Sequence, residues 1–125
     1  MRALPLLILL ALLAGCGAPR PAWVQTDLYC GLGRSDGGVA TVEEFQAFLD
    51  EVVTPRFPDG LTVIEAHGQW RSQGTVLREP ARVLVVVHPP GAAADAAIEA
   101  IRADYRRRFA QESVLRVDSA VHASF

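Results

Sequence analysis

Three histidines, an internal cysteine, a glycine-rich stretch and a scatter of arginines around a tryptophan are the residues of this 125-residue chain whose chemistry could amount to a site. His67, His88 and His122 invite a zinc site, whose ligands must all converge to about 2 Å from one ion. Cys30 offers a thiol, but a reactive thiolate needs a cation or a helix N-terminus beside it, and nothing basic adjoins Cys30 in sequence. Gly31-x-Gly33 with Gly37-Gly38 is similar to a phosphate-cradling loop, yet it lacks the spacing of a dinucleotide fingerprint. Arg34, Arg71, Arg78 and Arg116, with Trp70, Glu79 and Gln111, are of the types that clamp a carboxylate or phosphate. Guanidinium forks bind two oxygens at once, and an indole stacks on a flat ligand or a cation. The plainer account of the same residues is a structural network, with Glu79 pairing with Arg71 across a hairpin and Trp70 plugging the end of a sheet.

Which of these residues meet depends on the elements that carry them. Val24, Thr26, Leu28, Cys30 and Leu32 alternate with polar or small residues, the pattern of a half-buried strand. Thr41-Val42-Glu43-Glu44 has the form of a capping box, and Phe45, Phe48, Leu49 and Val52 behind it follow helical spacing. Thr54-Pro55 stops that helix. A second strand is predicted from Leu61 to Arg71, and the turn Ser72-Gln73-Gly74 leads into a third from Thr75, interrupted near Glu79-Pro80 and ending in the β-branched run Val83 to Val87. After Pro89-Pro90-Gly91, a second helix places Ala94, Ala97, Ile98, Ile101, Tyr105 and Phe109 on its inner face. Its end carries Arg106, Arg107 and Arg108, a solvated terminus that favours cations, with Asp104 in reach of Arg108. The same run could touch anionic headgroups. A last strand runs from about Val114, with Leu115, Val117, Val121, Ala123 and Phe125 in alternation.

The order strand, helix, strand, strand, helix, strand predicts an α+β, ferredoxin-like βαββαβ fold: a four-stranded antiparallel sheet ordered 4-1-3-2 with both helices on one face. In that topology His67 and His122 lie three strand spacings apart, about 14 Å, so the three histidines cannot share a metal and no cofactor is expected. His88 and His122 could flank Asp27 across the first strand. Strands 1 and 2 end where strands 3 and 4 begin. That gathers the Gly31–Gly38 loop with Arg34, Trp70, Arg71, Arg78, Glu79, Gln111 and Arg116 at one end of the sheet, as a candidate site for a small anionic ligand. Cys30, in phase with Leu28 and Leu32, reads as a small core residue. The helix-free face is expected to hold Leu61, Val63, Leu84 and Val86 among Asp27, Tyr29, Glu65 and His67, a mixed apolar surface that a second copy would cover as a homodimer.

The N-terminus reads as an export signal. Met1-Arg2 supplies a positive start, and Ala3 to Leu13 is a leucine-rich stretch too short for the roughly 20 residues that span a bilayer. Leu13-Ala14-Gly15-Cys16 is similar to the lipobox of bacterial lipoproteins at every position. Residues 1–15 are therefore expected to be removed, with Cys16 the lipid-bearing first residue of the mature chain. Two or three acyl chains on it would anchor the protein stably to a membrane. Gly17, rather than aspartate, at the next position implies by the same resemblance the outer membrane, with the domain facing the periplasm. Residues 16–23 form a short, proline-stiffened tether, and residues 24–125 a single domain. With Cys16 acylated, Cys30 has no disulfide partner.

Composition bounds the partners. About 110 residues after the leader suffice for one core. The 12 basic residues, all arginine, against 14 acidic ones leave no basic stripe for a nucleic acid.

Longer motifs carry a family resemblance. Pro55-Arg56-Phe57-Pro58-Asp59-Gly60-Leu61-Thr62-Val63, Gly68-Gln69-Trp70-Arg71, Arg78-Glu79-Pro80, the stretch Tyr105 to Phe109 and Gln111-Glu112-Ser113-Val114-Leu115-Arg116-Val117 resemble the bacterial family called domain of unknown function 3574. The likeness runs from about Leu28 to Phe125 and departs from the family at Cys30 and His122. It implies one short exported domain and no particular reaction. The chain thus reads as a lipid-anchored envelope protein whose domain is a non-catalytic module for a small ligand or a protein. The alternative is a small-molecule enzyme of the dimeric α/β-barrel type, working in a cavity between two sheets.

Overall fold

The computed structural model describes residues 22–125, so the leader, Cys16 and the tether as far as residue 21 lie outside the described residues. Alternating side chains form β1 (Trp23–Gly31), which begins one residue inside the predicted tether. Then come α1 (Val42–Phe48), β2 (Thr62–Ser72), β3 (Thr75–His88), α2 (Ala92–Phe109) and β4 (Leu115–Val121). The strands form one antiparallel sheet in the order β2-β3-β1-β4, the predicted 4-1-3-2 arrangement counted from the other edge.

Local chemistry sets the element ends. The Thr41 hydroxyl accepts from the Glu44 backbone at 3.1 Å while the Glu44 carboxylate accepts from the Thr41 backbone at 2.8 Å, completing the capping box. The β2–β3 hairpin turns on Gln73 and Gly74, both at positive φ (46° and 83°), the handed turn that matches strand twist. At the far end of α2, Ala110 takes the left-handed conformation at φ 52° and the Gln111 amide bonds back to the Arg106 carbonyl at 3.1 Å.

The core lies between the sheet and the two helices. Leu28, Leu84, Phe48, Ile98, Ile101 and Tyr105 are at most 1% exposed. Phe45, Phe48, Tyr105 and Phe109 form an aromatic cluster with centroids 4.5 to 6.3 Å apart, largely edge to face. Cys30 is buried among them, as its phase predicts.

Four details depart from the sequence-based expectation. The strand β3 is continuous through Glu79-Pro80. The Pro80 carbonyl faces the β1 side, where it accepts from Leu32 N at 2.9 Å. The missing proline N–H lies on that same side, beyond the end of β1, so the β2 ladder loses nothing. Second, α1 widens into a π-helical turn over Leu49–Val53, and Val53 rather than Val52 becomes fully buried. The wider turn shifts the apolar stripe by one residue. Third, β4 stops at Val121, and Ala123 and Phe125 lie beyond it.

The fourth departure concerns the sheet faces. Leu28 pairs with Leu84 and Thr26 with Val86, which puts Leu84 and Val86 on the helix side, fully buried, with Leu61 and Val63 packed against the core beside them. The helix-free face instead carries a row that crosses every strand: Leu115, Tyr29, Val83 and Ile64 are direct register partners. Asp27 sits one row along on that face, whereas His88 faces the helices opposite Val24. His88 therefore cannot flank Asp27.

Candidate functional site

Two clefts open at opposite ends of the sheet. The first is the predicted arginine end, where the 31–38 loop meets the tip of the β2–β3 hairpin. Long hairpin strands carry Trp70 and Glu79 beyond the end of β1, on one face, so that the carboxylate lies under the glycine loop. Glu79 Oε2 accepts from the Gly33 backbone at 2.6 Å and Oε1 from the Trp70 indole N–H at 2.8 Å. A Cβ on Gly31 or Gly33 would lie 2.5 or 2.6 Å from this carboxylate, which explains glycine at both positions. Gln111 closes the cluster by donating to the Gly33 carbonyl. Arg34, Trp70, Arg78, Glu79 and Gln111 line a cleft of about 340 Å³.

Arg71 and Arg116 do not join it. Arg71 sits on the opposite face of β2 from Trp70 by strand alternation and does not pair with Glu79, which is held by Trp70 and Gly33. Arg116 pairs with Leu28 in register and reaches Asp95 at 2.7 Å and Glu99 at 2.8 Å on α2, besides Asp118 of its own strand at 2.9 Å. Arg34 is taken by Glu44 at 2.5 Å. The guanidinium fork expected to clamp an anion is thus committed within the protein at two of four positions and absent at a third. At the C-terminus of α2, Asp104 pairs with Arg107 and Arg56, and Arg108 reaches Glu51 at 2.6 Å, because the widened turn after α1 brings Glu51 alongside.

The second cleft was not anticipated. It lies at the end of the sheet where β1 and β2 begin and β3 finishes, and its volume is about 980 Å³. Its walls are Phe57, Pro58 and Leu61 from the α1–β2 connection, Val85 and Val87 from β3, Pro89 and Pro90 from the next turn, and Ala93, Ala94 and Ala97 from α2. Trp23 and Phe125, stacked edge to face at 5.5 Å, form part of its rim. Phe125 is fully exposed, at 101% of its reference area. Volume and lining fall in the range of small-molecule sites, which are concave and mainly apolar with few polar groups.

The polar and charged side chains at this cleft include Arg56, Asp59, Thr62 and His88. Arg56 donates to the Val52 carbonyl at 2.7 Å and lies 3.4 Å from Asp104. His88 is 5% exposed, and a polar chain leads from it across the helix-facing side of the sheet. The Thr26 hydroxyl donates to Asp118 at 2.6 Å and lies 2.9 Å from His88 Nε2. His88 Nδ1 lies 2.8 Å from the Pro89 carbonyl. Both ring nitrogens are occupied, and the ring stacks beside Phe57 at 5.6 Å. The Thr26 hydroxyl, with Arg116 behind it, holds the Asp118 carboxyl below its ordinary range. Burial pushes the Cys30 thiol up to about 12, far from a nucleophile's range. Among the described residues no group of three or more His, Cys, Asp or Glu is arranged to hold a metal. No described helix is long and apolar enough to cross a membrane.

Comparison with known proteins agrees with this architecture. The family described as protein of unknown function (DUF3574) matches over residues 25–125. None of the curated proteins matches the chain. Among solved structures, a phage SAM lyase in complex with S-methyl-5'-thioadenosine is similar with a TM-score of 0.63 at 16% identity, over 80% of this chain and 81% of that one. CutA from Synechococcus elongatus PCC7942 is similar at 0.55 and 11% identity, over 84% of this chain and 81% of its own. CutA1 from Oryza sativa is similar at 0.57 and 7% identity, over 83% and 84%. At such identities the likeness is one of fold: a small α+β module.

Proposed function

This chain belongs to the DUF3574 family, and on that premise we propose that it is a lipid-anchored envelope protein whose single domain binds a small, largely apolar ligand without transforming it. The observation that carries the reading is the cleft of about 980 Å³ between β3, the start of α2 and the α1–β2 connection. An apolar concavity of that size is costly to leave filled with water and is a natural ligand site. Of its few polar side chains, His88 is held at both ring nitrogens and Arg56 at the Val52 carbonyl, so these two supply anchoring more readily than proton transfer. That weighs against the barrel-enzyme alternative. The arginine end is better explained as a knot that fixes the hairpin to the glycine loop, since its carboxylate and Arg34 are already paired.

In this reading Cys16 carries the lipid, residues 1–15 are removed, and the tether holds the domain at the periplasmic side of the outer membrane. Intact mass of the protein extracted from its native envelope tests the anchor: acylation at Cys16 is expected, and a retained leader or an unmodified cut end would overturn it. Binding is tested with the dye 1-anilinonaphthalene-8-sulfonate on the folded, non-acylated mature chain. One saturable site that disappears in Ala94→Phe is expected. A dye response seen only after acid unfolding would refute the reading.

A second reading concerns association. The row Leu115, Tyr29, Val83 and Ile64 gives the helix-free face a continuous apolar band, and Tyr29, Ile64 and Leu115 are exposed. Two such faces could pack sheet to sheet in a homodimer. Sedimentation velocity with the Ile64→Arg variant tests it: a dimer dissociating in the variant supports the pairing, and a monomer at all concentrations removes it.

A further inference from the structure

The large cleft sits where the chain meets its tether. β1 begins at Trp23, which lines the cleft, and the chain ends at Phe125, which lines it too. Only the residues from Cys16 to Ala22 separate the first strand from the expected point of acylation, a reach of roughly 25 Å even when fully extended. The mouth of the cleft therefore lies within that distance of a lipid surface. Its rim holds an aromatic pair, Trp23 and the solvent-exposed Phe125, and an indole with its N–H favours the boundary between headgroups and water. Behind the rim the walls are hydrocarbon: Phe57, Leu61, Val87, Ala94 and Ala97.

From the site proposed above and the expected tether, we infer that the ligand is a single-chain membrane amphiphile whose acyl chain enters past Trp23 and Phe125 and lies along α2. Arg56 lines the cleft and, though it also meets Asp104 at 3.4 Å, is the cation beside which an anionic head would rest. The occupant is a separate amphiphile rather than the protein's own anchor, because an anchor chain folded into the cleft would leave the bilayer and weaken the attachment it provides.

The test uses nuclear magnetic resonance on the mature chain with Cys16→Ser, which retains every described strand and helix, since these lie between Trp23 and Val121. Its two indole N–H signals report the two ends of the sheet. Laurate below its micellar concentration is the probe, followed by stearate spin-labelled at its methyl end. Saturable shifts at the Trp23 indole and the Ala94 and Ala97 amides are expected, with paramagnetic broadening there and none at the Trp70 indole. Ala94→Phe, checked for an unchanged thermal midpoint, should lose at least tenfold in laurate affinity. Broadening spread over the whole surface, or an Ala94→Phe variant that binds as before, would overturn the inference. If the anilinonaphthalene dye occupies the cleft while laurate gives no saturable shift, the acyl assignment falls and the binding-module reading stands. A second arm uses the acylated protein without added amphiphile. A Trp23 indole already at the laurate-bound position, insensitive to further laurate, would mean that the anchor itself fills the site and would refute a separate ligand.

Discussion

Replacing Glu79 by glutamine should destabilise this domain about as much as replacing it by alanine, although glutamine has the same shape. The carboxylate is acceptor on both oxygens, one taking the Gly33 backbone N–H at 2.6 Å and the other the Trp70 indole N–H at 2.8 Å. A carboxamide offers one acceptor and one donor, so whichever way it turns, an NH2 group faces an N–H. One bond is lost, and a half-buried donor is left against another donor. Hydrogen bonds to a charged group contribute roughly 1.5–3 kcal/mol each when buried, and partial exposure reduces this. A loss of about 2–4 kcal/mol is expected for Glu79→Ala and a similar loss for Glu79→Gln. In a domain of about 100 residues that is a fall of roughly 10–20 °C in Tm. Urea unfolding followed by fluorescence measures it. Coupling gives a sharper check. Gly33→Ala would drive a methyl to 2.6 Å from Glu79 Oε2, so it should be costly in the parent and much less so in Glu79→Ala. If Glu79→Gln unfolds within about 0.5 kcal/mol of the parent, or the two substitutions are additive, the carboxylate is not what ties the hairpin to the loop.

Other consequences are as direct. Cys30, 1% exposed and with its thiol raised to about 12 by burial, should resist a disulfide reagent at pH 8 in the native Cys16→Ser chain and react only at the rate of unfolding. Glu99 and Asp118 titrate below their ordinary values, Glu99 through Arg116 and then Arg102, Asp118 through Thr26 and then Arg116. A depressed carboxyl pKa contributes stability that is present above the unfolded value and is lost as pH falls through the folded one. Arg116→Gln should therefore be less stable than the parent at pH 7, with the gap closing below about pH 4, as urea midpoints at pH 7 and pH 3 would record. Ala110 and Gln73 hold left-handed conformations at φ 52° and 46°. Ala110→Gly and Gln73→Asn should each raise the thermal midpoint, by an amount matching roughly 0.5–1 kcal/mol.

What could be read from the sequence was local or periodic. The capping box from Thr41 to Glu44 needs four residues and is seen in them; the stripe of α2 from Ala94 to Phe109 repeats often enough to fix its inner face. The topology followed from the order of elements. Where periodicity was absent the sequence had nothing to decide with. Val83 to Val87 is apolar at every position, so either parity fits a buried strand, and only pairing with Thr26 and Leu28 puts Leu84 and Val86 inward. The arginines show a different limit. A guanidinium reaches several ångströms in any direction, and Arg116 settles on Asp95 and Glu99 of α2 across the fold rather than at the hairpin end where strand order alone would put it. The cleft had a faint signal that the α2 stripe carried all along. Its inner face begins with alanines at 94 and 97 and ends with Tyr105 and Phe109. Large rings fill the space under one half of the helix, and methyl groups leave it open under the other. The same stripe that packs the core at the C-terminal end of α2 therefore makes a cavity at its N-terminal end, beside Trp23 where β1 begins.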